Sequence, residues 1–185
     1  MRRVVLASAS PRRAELIRAV AQDVEILPQD AEERTHYRRP HCIVQDLARI
    51  KAGDLKDRYP DRFVIGADTI VWRSGKLYGK PLTEARAATY LRELQGKRHS
   101  VYTGVYVAYR GRERTFWVKS DVAFRTMSDR EIADYIARKQ PLDKAGAYGI
   151  QDNEVVQSYR GSYTNIVGLP LERLERVLQE MEKTE

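Results

Sequence analysis

An apolar run that feeds straight into a proline-led helix start restricts the fold of this sequence more than any other feature. Val4-Val5-Leu6 reads as a short buried strand, and Ser10-Pro11 reads as an N-cap followed by proline at the first helical position. Such a junction aims free backbone N–H groups and the positive end of a helix dipole at one spot, a natural anion site. Ser8, Ser10, Arg12 and Arg13 surround that spot. Positive charge in a first helical turn is unfavourable for the helix itself, so two arginines there point to a bound anion, most simply a phosphate chain. The competing reading is an ordinary capped helix with solvated arginines, and local sequence alone leaves both open. On the anion reading, truncating Arg13 leaves the stability of the free protein nearly unchanged.

Strand and helix signals alternate along the rest of the chain. Apolar spacing predicts a helix over 11–21, a strand over 24–27, a polar loop over 28–40 and an amphipathic helix over 42–57. Phe63-Val64-Ile65-Gly66-Ala67 reads as a buried strand ending in Asp68-Thr69, and Ser74-Gly75 as the turn of a hairpin. Thr83 caps a helix that Gly96 stops; two longer strands flank Gly111. Ser128 and Glu131 form a capping box, residues 146–168 read as a loop-and-strand region, and Pro170 begins a final amphipathic helix. This is a mixed α/β pattern.

Composition narrows the class. The 185 residues, 42% hydrophobic, suit one domain over 1–185 with two lobes. A net charge of +7 suits an anionic partner. The basic residues alternate with acids, so no block marks a nucleic-acid arm and nucleic acid is not the expected partner. Cys42 is the single cysteine, which excludes an internal disulfide, and it reads as a core residue. No run approaches the roughly 18 apolar residues of a membrane span, and no secretory signal is visible, so a cytoplasmic protein is expected.

Several constellations carry chemistry. Asp68 places a carboxylate at the carboxyl end of an apolar strand, where open α/β sheets bind ligands. It suits a divalent cation or an activated water, against the plainer reading of a turn aspartate. Lys80, held in Gly79-Lys80-Pro81, is a point charge for phosphate or an exposed turn lysine. The segment 143–151 is dense in small residues that let backbone approach a ligand, with Lys144 and Gln151 as polar contributors. Glu32-Glu33 is a candidate second acid or a solvated pair. His36, His41 and His99 lack zinc-ligand spacing, and no phosphate-binding GxxxxGK[ST] loop occurs.

Taken together, LASASPRRAEL, LARIKA, VIGADTIV, YGKPLT, RHSVYTGV, DKAGAYGIQ and GSYTNIVGLPL resemble the Maf-like family of nucleoside triphosphate pyrophosphatases, in order and over nearly the whole chain. The resemblance implies a central mixed sheet flanked by helices, with an active-site cleft between two lobes. It implies Mg²⁺- or Mn²⁺-dependent cleavage of a nucleoside triphosphate between its α- and β-phosphates. Carried over by position, Ser8, Ser10, Arg12, Arg13, Lys51, Thr69, Lys80, Lys144 and Gln151 are substrate-binding. Asp68 is catalytic, and Glu33 and Asp68 are metal ligands. Arg12, Lys51 and Gln151 look like the dTTP/UTP branch rather than the 7-methyl-GTP branch. Gln95 stands where a serine is usual, and the 34–41 loop is unusually basic, which affects the rim. A homodimer is common among such folds. The alternatives are an inosine/xanthosine triphosphate pyrophosphatase and a non-catalytic nucleotide or nucleic-acid binder acting in division arrest. Two retained carboxylates argue against pure binding, since they hinder phosphate unless a metal intervenes.

Overall fold

A computed structural model describes residues 2–183. Its strands are β1 (Arg3–Ala7), β2 (Asp23–Ile26), β3 (Phe63–Arg73), β4 (Lys76–Tyr78), β5 (Arg98–Tyr109), β6 (Arg112–Phe124) and β7 (Val156–Arg160). Its helices are α1 (Pro11–Ile17), α2 (Pro40–Ala52), α3 (Leu55–Arg58), α4 (Glu84–Leu94), α5 (Asp129–Lys139), α6 (Tyr163–Val167) and α7 (Leu171–Lys183). Three single 3₁₀ turns lie between α5 and β7. The strands form one sheet in the order β2-β1-β3-β5-β6-β7. β1 runs parallel to β2 and β3, whereas β5, β6 and β7 continue antiparallel, giving the expected mixed sheet.

Strand alternation sorts the core into layers. Val4, Leu6, Ile65 and Val105 face Ile17 of α1 and Leu174, Val177 and Leu178 of α7. Val5, Val64 and Tyr106 face the other way, onto Ala48 and Ala52 of α2. The far ends of β3, β5 and β6 pack on α4 and α5 through Leu91, Leu94, Phe124, Ile132 and Tyr135, forming a second lobe. Full burial of each large apolar side chain is worth about 1.5–3 kcal/mol. Among the described residues no helix is long and apolar enough to cross a membrane.

Two glycines decide how deeply α2 sits. A Cβ on Gly66 of β3 would lie 2.1 Å from the Ala48 carbonyl oxygen, and one on Gly104 of β5 would lie 2.3 Å from the Val44 carbonyl. Helix backbone therefore rests almost directly on sheet backbone, and the last turn of α2, with Lys51, is carried against β3.

Several elements depart from the sequence expectation, and the helix expected over 11–21 ends at Ile17. The helix expected over 42–57 breaks after Ala52, because Gly53 takes φ +52° and ends it, and α3 is a separate turn. The strand expected to end at Asp68-Thr69 and the hairpin arm expected over 70–72 are one continuous strand to Arg73, because β5 pairs it from Val64 to Trp72. The region 146–168 also contains α6, capped by Ser162.

Gly104→Ala is expected to lower stability by about 1–3 kcal/mol, since backbone must move to admit the methyl group. Gly79→Ala, whose Cβ would meet only a Leu77 methyl at 3.6 Å, is expected to cost less. Thermal unfolding of both variants checks this, and a greater loss for Gly79→Ala would reject the close seating of α2.

Candidate active site

The site follows from a change of partner along one edge of β3. On that edge β1 pairs with β3 only as far as Ala7 opposite Gly66, and β4 begins only at Tyr78 opposite Val71. Between them residues 67–70 keep β5 on one side and open into a cleft of about 390 Å³ on the other. Successive side chains point to opposite faces, so Asp68 turns toward α2 and Thr69 toward α1. Asp68 is thus a mid-strand residue beside a gap rather than the last residue of its strand. All eleven residues singled out in the sequence as catalytic, substrate-binding or metal-ligating line this one cleft.

The N-terminus of α1 supplies one wall. Ser10 caps it, accepting from the Arg13 amide at 3.4 Å, and Ser8 Oγ accepts from the Ser10 amide at 3.2 Å. Arg13 is tied down by three contacts: Nε donates to the Gly168 carbonyl at 2.8 Å, Nη1 to Ser8 Oγ at 3.3 Å and Nη2 to Thr69 Oγ1 at 2.9 Å. Thr69 continues the chain to Thr103 Oγ1 at 2.9 Å, which donates to the Asn165 carbonyl at 2.9 Å. Burial pushes the Arg13 pKa down, against the pull of Asp68, yet a guanidinium stays protonated in proteins. Arg13 therefore clamps α1, β3 and the α6–α7 turn together, which corrects the expectation that it is dispensable for stability. The Thr69 hydroxyl lies in the cleft but is engaged with Arg13 and Thr103.

The acids form the floor. Lys51 Nζ lies 2.5 Å from Asp68 Oδ1 and 3.1 Å from Glu33 Oε2, so one ammonium joins both carboxylates. Asp68 is only 6% exposed, and its other oxygen, Oδ2, is buried without a hydrogen-bond partner among the described residues. An unpaired buried carboxylate oxygen is costly, and a carboxylate that lines a cleft with one oxygen unpaired suits a cation or a water. Among the described residues no group of three or more His, Cys, Asp or Glu forms an all-protein cage. Two carboxylates in a phosphate-sized cleft nevertheless fit Mg²⁺ or Mn²⁺, hard cations that keep waters and use substrate phosphates as ligands.

The opposite wall is the segment after α5. Asp143 accepts from Arg12 at 3.1 Å and from Lys144 at 3.2 Å. Burial raises the Asp143 pKa, but these two cations outweigh it and hold the carboxyl below its ordinary range. Lys80 is exposed at the rim and has no carboxylate partner among the described residues. Gln151 is exposed on the 3₁₀ turn Ile150–Asp152, and its carboxamide makes no hydrogen bond there. Val71, Val101, Tyr148, Ile150 and Ile166 form an apolar end. Behind it His99 Nε2 lies 2.9 Å from the Tyr148 hydroxyl, and burial pushes His99 down to about 4, so the imidazole is neutral near pH 7.

Sequence reasoning missed Asp143, Tyr148 and the Thr103–Asn165 support. The acid stood inside a segment already singled out for its small residues, so its pairing with Arg12 was the available signal. Tyr148 stood in that same segment, whereas Thr103 on β5 and Asn165 on α6 had no local signal.

A mixed sheet with a cleft at a strand gap is an architecture shared with a solved structure, that of the Staphylococcus aureus Ham1 protein. The TM-score is 0.57 at 13% identity, over 97% of this chain and all of that one, which establishes the fold alone. Sequence narrows the class: residues 3–181 match the Maf-like protein family, and the chain belongs to it. Relatives named dTTP/UTP pyrophosphatase include that of Bacillus cereus (strain ZK / E33L), 43% identical over 97% of this chain and 96% of its own length. That of Bacillus mycoides (strain KBAB4) is 42% identical over 98% and 97%.

Arg13→Ala is expected to destabilise the free protein by about 2–4 kcal/mol, because it leaves the Gly168 carbonyl without its side-chain donor and takes one hydrogen bond each from Ser8 and Thr69. A chemical denaturation midpoint unchanged from the parent protein would show that the clamp is not structural.

Proposed function

We propose that the cleft hydrolyses a nucleoside triphosphate between its α- and β-phosphates, with dTTP and UTP preferred. The observation that carries this reading is the buried Asp68, its Oδ2 unpaired, facing a cleft walled by Arg12, Lys80, Lys144 and a capped helix N-terminus. Phosphate charge is what such a wall neutralises. The names of the relatives point the same way.

In this reading water adds to phosphorus, the α–β bridging P–O bond breaks, and nucleoside monophosphate and pyrophosphate leave. Asp68 orients the attacking water and, with Glu33, would hold the divalent cation. The bound cation supplies Lewis-acid charge against the phosphate oxygens. Arg12, Lys51, Lys80 and Lys144 take the triphosphate, and Ser8, Ser10 and Thr69 line its path. Arg13 holds the helix end that receives it, with two guanidinium N–H bonds to spare. The apolar end around Val101, Tyr148 and Ile150 takes the base ring.

Gln151 reads the base edge. Its free carboxamide offers a donor and an acceptor, matching the O4 acceptor and N3–H donor of thymine and uracil. Cytosine reverses that polarity, and a mismatched buried polar edge is strongly rejected. Nucleotide-pool housekeeping in the cytoplasm is the setting this activity implies.

Asp68→Asn is expected to lower turnover by about 100-fold or more while the protein stays folded. Excess EDTA is expected to abolish activity, and Mg²⁺ or Mn²⁺ to restore it. Pyrophosphate release from a folded Asp68→Asn protein at the parent rate would remove the role given to Asp68.

Across a nucleotide panel, dTTP, UTP and 5-methyl-UTP are expected to give the highest kcat/KM, with CTP and purine triphosphates weaker. A panel led by 7-methyl-GTP or ITP would overturn the base assignment and leave the pyrophosphatase reading standing.

A further inference from the structure

Lys51 occupies an unusual place for a substrate-binding lysine. Its stem is carried by the last turn of α2, and its ammonium faces the acids rather than the cationic wall. It touches Asp68 Oδ1 at 2.5 Å and Glu33 Oε2 at 3.1 Å, the same two carboxylates that would hold a divalent cation. Only about one-seventh of the Lys51 side chain is exposed, at 14%, and the Asp68 side chain is at 9%. The Asp68 contact is thus desolvated, whereas Glu33 is half exposed at 50%.

Mg²⁺ sits about 2.0–2.1 Å from its oxygen ligands. A divalent ion bridging these carboxylates would occupy the position of the ammonium, and two cations so close repel strongly. Lysine, unlike arginine, is a compact charge on a flexible four-carbon stem. Its head can leave the acids by side-chain rotation while α2 stays fixed by its seat on Gly66 and Gly104.

We propose that Lys51 is a resident counter-cation of the acid pair, displaced when a divalent metal enters and thereby released to the incoming triphosphate. The inference rests on the metal role given above to Asp68 and Glu33. It accounts for the single ammonium that contacts both Asp68 and Glu33. It also makes metal and nucleotide mutually supportive ligands, since the metal frees a phosphate-binding charge and the phosphate gives that charge a new partner.

The test is Mn²⁺ binding without nucleotide, followed by the electron paramagnetic resonance signal of free Mn²⁺. Lys51→Met is expected to bind Mn²⁺ at least about ten-fold more tightly than the parent protein, the equivalent of about 1.4 kcal/mol. Lys80→Met makes the same charge change in the same cleft but removes no contact to the acids, and is expected to shift Mn²⁺ affinity by less than about three-fold. Adding Asp68→Asn to Lys51→Met is expected to cancel the gain. Circular dichroism establishes folding, and Lys51→Gln replaces the methionine variant if that protein is not folded.

Lys51→Met binding no tighter than the parent, or Lys80→Met gaining equally, would overturn the inference while leaving the metal site intact. Parent protein that binds no Mn²⁺ even with a non-hydrolysable α,β-methylene analogue of dTTP would remove the metal reading, and the inference with it.

Discussion

The constraint on which the site depends is the continuous pairing of β3 with β5. That ladder holds β3 straight from Val64 to Trp72 while its other edge loses β1 and has not yet gained β4. A strand paired on neither side would fray. Supported by a long partner, it offers a rigid stretch of backbone at the edge of an open cleft. The two lobes share this strand, so the groups they contribute meet along it with little freedom to drift.

Alternation along that stretch divides the labour. Asp68 turns to the α2 face and meets Lys51; Thr69 turns to the α1 face and meets Arg13. One side of the cleft is therefore an acid pair bridged by a lysine, and the other is a helix N-terminus braced by an arginine. The separation lets carboxylates and cations coexist within about 390 Å³ without wholesale mutual neutralisation. Asp143 adds a second check, since it takes up charge from Arg12 and Lys144 in the free protein.

Arg13 shows why a functional motif can also be a structural one. A guanidinium has five donors in a fixed fork, enough to bind Gly168, Ser8 and Thr69 and still present N–H groups to the cleft. The positive charge that is unfavourable in a first helical turn is offset locally by these acceptors and by the nearby Asp68. A first-turn arginine is thus compatible with tertiary bracing as well as with anion binding, and here the bracing is visible.

Much of this was legible in the sequence because it depends on neighbours along the chain. Hydrophobic periodicity, the Ser10-Pro11 cap, the Ser128–Glu131 capping box and the Ser74-Gly75 turn are local choices, and they place most strands and helices. Resemblance to a family brought Glu33, Lys51, Asp68 and Gln151 into one site, though spacing alone did not. Tertiary structure decided the rest. The run-on of β3 past Thr69 depends on a strand some 35 positions away in register, and the break at Gly53 on a backbone angle. The closeness of α2 depends on two glycines that mean nothing until they face a helix. The clamp by Arg13 and the capture of two acids by Lys51 are long-range contacts as well. Residue type states what a side chain is able to bond; only packing determines which partner comes within three ångströms of it.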